Sequence, residues 1–187
     1  MSATSTSGDT QRVPEIRFYY DVVCPYAYLA STQIEAAAAR VGATISWRPV
    51  LLGGLFRAVK APQLPASVMN APRARQNLLD MYRFADRWGV ELRMPAAHPR
   101  RSVEAMRLLV AVGEGATRRA LTAALYRAYW AQDRDISDRT VLGAIAREHD
   151  VDPATIDDPA ARSGLFENTA EAAALGAFGV PTFAVGD

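Results

Sequence analysis

The chain has 187 residues, half of them hydrophobic, with 21 Lys and Arg against 20 Asp and Glu and a net charge of +1. That is enough apolar material for one sizeable core, and the balanced charge, without a long like-charge run, argues against a nucleic acid or a membrane as partner. One cysteine rules out an internal disulfide framework and fits a reducing compartment, so the expected location is the cytoplasm.

Residues 1–14 are polar and rich in Ser and Thr, and are expected to form a disordered tail rather than a secretion signal. Ile16 to Tyr20 is β-branched and aromatic, as a buried strand requires, and it stops abruptly at Cys24-Pro25. Pro25 suits the first position of a helix, which places Cys24 at the N-cap. There the sulfur would face the free amides of the first turn, an environment that favours thiolate over thiol. The plainer alternative is a small buried hydrophobe.

From Tyr26 to Val41 the positions Leu29, Ile34, Ala37, Ala38 and Val41 recur at helical spacing, and Gly42 suits a C-cap. Ala43 to Arg48 then alternates as a strand. Strand, helix and strand within about 35 residues make a βαβ unit with parallel strands. Pro49 to Pro65 is dense in Gly and Pro and is expected to be a long surface connection.

Residues 66–162 hold amphipathic segments near 70–87, 102–112, 117–131, 138–149 and 153–163, with no convincing strand. Ser102, Ser137 and Asp152-Pro153 mark helix starts. Glu167 to Ala177 forms a further helix, and Val180-Pro181 turns into a strand ending at Asp187. The sheet is expected to lack a final strand and helix, leaving an unpaired edge.

His98 lies between Pro95 and Pro99 and is expected to be a solvated loop residue, with general acid or base as the sharper alternative. His149 suits a helix C-terminus. Tyr129 and Trp130 read as core, with a minor alternative of lining an aromatic pocket. Asp21 either positions the cysteine or caps its loop. One Cys and two distant His give no zinc spacing, so no metal is expected.

Three segments, Tyr20-Asp-Val-Val-Cys-Pro-Tyr-Ala-Tyr-Leu-Ala30, Tyr129-Trp-Ala-Gln-Asp-Arg-Asp-Ile-Ser-Asp138 and Asn168 to Phe183, together resemble the 2-hydroxychromene-2-carboxylate isomerase family. That family is close to the kappa-class glutathione transferases and to DsbA-type folds. The resemblance implies an α/β fold, a thioredoxin-like sheet interrupted by an all-helical insertion. The sheet domain would take residues 15–60 and 164–187, and the insertion 61–163.

It implies glutathione as cofactor, with its sulfur against Cys24, where the family usually has serine. Pro25 and Tyr26 would lie beside that sulfur. Val180-Pro181 looks like the thioredoxin-fold loop whose proline is cis, with the preceding backbone left to pair with the glutathione peptide. Where the family tends to have an asparagine this chain has Ala61, which leaves Lys60 or Arg57 to meet a glutathione carboxylate. The implied activity is glutathione-dependent isomerisation of an aromatic acid by a homodimer. The alternatives are a glutathione transferase, a monothiol DsbA-like oxidoreductase using Cys24, in which no second cysteine completes Cys-x-x-Cys, or a binding module without turnover.

Overall fold

The computed structural model describes residues 13–186. The tail expected over 1–14 therefore lies outside the described residues up to position 12. A sheet of order β2-β1-β3 is built from β1 (Glu15–Tyr20), β2 (Thr44–Pro49) and β3 (Thr182–Val185). β1 and β2 are parallel, with Phe18 opposite Trp47, and β3 returns antiparallel to β1, with Phe18 opposite Phe183. The alternation of side chains along β1 divides the core in two. Phe18 and Tyr20 join a large aromatic cluster with Trp47, Tyr28 and Tyr126, in which Phe18 meets Trp47 edge to face at 5.1 Å and stacks on Phe183 at 5.2 Å. Tyr19 points to the other face, with Val50, Leu55 and Ala172.

Between β1 and β2 the chain forms α1 (Pro25–Ser31) and α2 (Ile34–Arg40), where the spacing predicts one helix. The break follows from two adjacent hydroxyls: Ser31 Oγ donates to the Tyr28 carbonyl at 2.6 Å and Thr32 Oγ1 to that of Leu29 at 2.8 Å, competing for carbonyls that a continuing helix would use. Gly42 holds a left-handed φ of 64° just past α2, as its C-terminal position demands.

The Gly/Pro-rich connection is not wholly irregular, because α3 (Leu52–Ala58) forms inside it. Two contacts with residues far away in sequence explain this. The Asp21 carboxylate accepts from the Leu52 amide at 2.9 Å, satisfying a first-turn donor, and Gly54 lets α3 lie on a later helix. A Cβ at Gly54 would stand 2.8 Å from the Thr169 methyl.

The helical block comprises α4 (Ala71–Trp88), α5 (Val103–Ala111), α6 (Ala116–Trp130) and α7 (Arg139–Glu148), each within two residues of its predicted span. Asn70 and Asp138 cap α4 and α7 through their side chains, so Asp138 takes the place expected of Ser137. After a 3-10 turn at Pro153–Asp157, α8 (Pro159–Ala174) starts at a second Asp-Pro pair, with Asp158 accepting from the Ala160 amide. This single helix crosses position 164 and replaces the separate segments predicted at 153–163 and 167–177. Among the described residues no helix is long and apolar enough to cross a membrane.

Candidate active site around Cys24

β1 delivers the chain to a turn at Asp21–Val23, and this turn is held from several sides. The Cys24 amide donates to the Asp21 carbonyl at 3.0 Å, and the Val23 amide to Asp21 Oδ1 at 3.1 Å. Trp130 Nε1 donates to the Val22 carbonyl at 2.8 Å, while the Val22 amide faces Met106 Sδ at 3.5 Å. Ser102 Oγ donates to Asp21 Oδ2 at 3.0 Å. Ser102 thus serves the turn instead of capping α5 with its side chain, as its position predicted. These partners come from 80 or more residues away, so no local pattern reveals them.

The Asp21 carboxyl is 1% exposed and accepts three hydrogen bonds, from Val23, Leu52 and Ser102. Burial raises its pKa to about 6, and the three donors pull the other way without cancelling that effect. Asp21 therefore both caps the loop and ties the start of α3 and of α5 to the turn that presents the cysteine.

Cys24 occupies the N-cap of α1 with extended backbone, φ −96° and ψ 120°, and Pro25 opens the helix as expected. Its sulfur donates to the Val180 carbonyl at 3.1 Å, and the Val180-Pro181 peptide is cis. The two ends of the sequence therefore meet at one atom. The predicted preference for thiolate is not met. Cys24 is 6% exposed, and burial pushes its thiol up to about 12, outweighing the opposing pull of the Ala27 and Tyr26 amides. At neutral pH the group is S–H.

Tyr26 extends from α1 to α4, where its hydroxyl donates to Asn77 Oδ1 at 2.5 Å. Lys60 is exposed beyond the end of α3, with a left-handed φ of 55°, and makes no hydrogen bond or ion pair to Cys24, Val180 or Pro181. The structure brings Cys24 and Val180 into contact.

His98 departs from its expected solvated state. Its Nδ1 lies 2.9 Å from the Tyr129 hydroxyl and its ring centroid 5.1 Å from that of Trp130, and burial lowers its pKa. The Arg100 amide donates to the same hydroxyl at 3.1 Å. Tyr129 and Trp130 are core residues, 1% and 0% exposed.

Residues 15–187 match the DSBA-like thioredoxin domain family. The chain belongs to that family. Within this DsbA-like group it is 26% identical over 176 residues to the 2-hydroxychromene-2-carboxylate isomerase of Sphingobium xenophagum, covering 92% of this chain and 89% of that protein. It is 24% identical over 184 residues to glutathione S-transferase kappa 2 of Caenorhabditis elegans, covering 92% and 81%. A solved 2-hydroxychromene-2-carboxylate isomerase superposes with a TM-score of 0.76 at 22% identity, over 92% of this chain and 86% of that one. The DsbA-like thioredoxin fold, with its sheet and helical insertion, is thereby established.

Proposed function

We propose that this protein is a glutathione-dependent isomerase of bicyclic aromatic acids of the 2-hydroxychromene-2-carboxylate type. Cys24 acts in it as a protonated hydrogen-bond donor. The observation that carries this reading is the Cys24 S–H held 3.1 Å from the carbonyl of Val180, beside the cis peptide to Pro181. The names of two relatives, an isomerase and a kappa-class glutathione transferase, support the choice of chemistry.

The residues present fit a sulfur ligand, since a buried S–H aimed at a carbonyl acceptor can turn to a stronger acceptor that reaches it. Glutathione supplies a sulfur nucleophile that adds to the substrate and leaves again, so it is not consumed. Cys24 exchanges its bond to the Val180 carbonyl for one to that sulfur, a charge-assisted hydrogen bond that favours the ionised form of the ligand. The Val180 backbone is then free to hold the ligand's peptide. Pro25, Tyr26 and Pro181 are its proposed neighbours, and Lys60, an exposed cation, its proposed carboxylate contact. The resemblance extends the proposal to a homodimer acting in the cytoplasm.

Ultraviolet turnover of 2-hydroxychromene-2-carboxylate with and without glutathione tests this. A glutathione-dependent rate is expected, retained within a few-fold in Cys24→Ser and lowered on the order of a hundredfold in Cys24→Ala, the scale for removing one donor to a developing charge. Absence of any glutathione-dependent rate, or full activity in Cys24→Ala, contradicts it. A monothiol oxidoreductase needs a cysteine that ionises readily, which burial opposes here. Reduction of insulin by the wild type and not by Cys24→Ser would favour that alternative.

A further inference from the structure

Away from Cys24, a cavity of about 360 Å³ opens where α3, α5 and α8 meet. Its wall is apolar, with Leu165 buried, Leu51 half-buried and Phe166 standing 74% exposed at its margin. Each of the three helices contributes one arginine: Arg57 from the last turn of α3, Arg107 from α5 and Arg162 from the start of α8. No Asp or Glu lines the cavity. Among the described residues, none of the three guanidiniums takes part in an ion pair. The field of Arg107 reaches Asp157, yet both oxygens of that carboxylate are taken by Arg139.

Three like charges around an apolar wall repel one another and stay hydrated unless an anion enters, and a guanidinium matches the planar fork of a carboxylate. The volume lies near the low end for small-molecule sites, room for one or two rings. We propose that this cavity binds a small organic monoanion, a carboxylate or sulfonate carried on an apolar ring system. The ring would lie against Leu51, Leu165 and Phe166, and the charge between the arginines. This site is separate from the Cys24–Val180 contact: Arg57, which the sequence offers beside Lys60 for a glutathione carboxylate, lines this cavity, and the inference does not depend on glutathione chemistry.

Calorimetry with 2-naphthoate and its neutral counterpart 2-naphthamide tests the site. The wild type is expected to bind the naphthoate at least about tenfold more tightly than the amide, the scale for hydrogen bonds to charged groups. The double substitution Arg107→Gln/Arg162→Gln is expected to weaken the naphthoate about tenfold and leave the amide unchanged. Saturation with S-methylglutathione should leave naphthoate affinity as it was. Circular dichroism and thermal melting establish that the double variant is folded; should it not fold, Arg57→Gln on the exposed turn of α3 provides the same comparison. Equal affinity for the two probes, an unchanged naphthoate affinity in the folded variant, displacement by S-methylglutathione, or no binding at millimolar concentration would each overturn the proposal.

Discussion

Asp21 is the residue through which distant segments act on the cysteine. Its pKa in the folded protein, about 6, lies above the ordinary value of 3.8, so the folded state binds the extra proton between these limits. The contribution to stability is full below pH 3.8 and is lost as pH rises through about 6. This amounts to on the order of 3 kcal/mol over the window. The expected outcome is a denaturation free energy whose decline between pH 4 and 6 is shallower in Asp21→Asn than in the wild type, measured by urea melts at a series of pH values. Identical slopes would contradict the account. The position of Asp21 is visible in the sequence, three residues before Cys24. Its acidity is not, because that is set by burial, which outweighs the hydrogen bonds from Val23, Leu52 and Ser102.

At the scale of elements, α3 shows how a contact between helices overrides local propensity. Gly54 is unfavourable inside a helix by about 1 kcal/mol relative to alanine, yet a Cβ there would meet the Thr169 methyl at 2.8 Å. Gly54→Ala should therefore destabilise the protein by about 1–3 kcal/mol. In the background Thr169→Ser, which removes the methyl and keeps the hydroxyl that accepts from Leu51, the same change should become neutral or stabilising. A double-mutant cycle by thermal melting measures this, and additive effects would contradict it.

The amphipathic helices α4 to α7 are legible because their apolar spacing lies within each segment, joined in α4 and α7 by a local side-chain cap. The misjudged elements are those decided from outside. The Gly/Pro-rich segment becomes α3 under a carboxylate from the turn after β1, and the single predicted helix breaks where Ser31 and Thr32 take its carbonyls. Likewise α8 begins at Asp158-Pro159, a stop-and-start signal that duplicates the Asp152-Pro153 pair before it.

Across the whole molecule, the helical insertion and the sheet are joined at the turn that carries the cysteine. Trp130, 0% exposed, ends α6 with its ring in the core and its Nε1 on the Val22 carbonyl. Trp130→Phe should cost about 1–3 kcal/mol by leaving a buried carbonyl unpaired, and should speed hydrogen exchange of the Val23 and Cys24 amides more than that of β2. Uniform acceleration would show that the bond has no local role. The meeting of Cys24 with Val180 is what the family resemblance of the Cys-Pro and Val-Pro segments implies, and neither segment announces it alone. The depth at which the sulfur lies is not legible, since it depends on how α1, α5 and α6 close over the turn.

The state of that sulfur is the centre of the account, and a titration reads it directly. Thiolate absorbance at 240 nm, taken as the difference between wild type and Cys24→Ser, should stay flat from pH 5 to beyond pH 9 and rise only at more alkaline pH, in keeping with a thiol raised to about 12. A half-ionised thiol near neutral pH would show Cys24 to be a nucleophile and would contradict its role as a protonated donor.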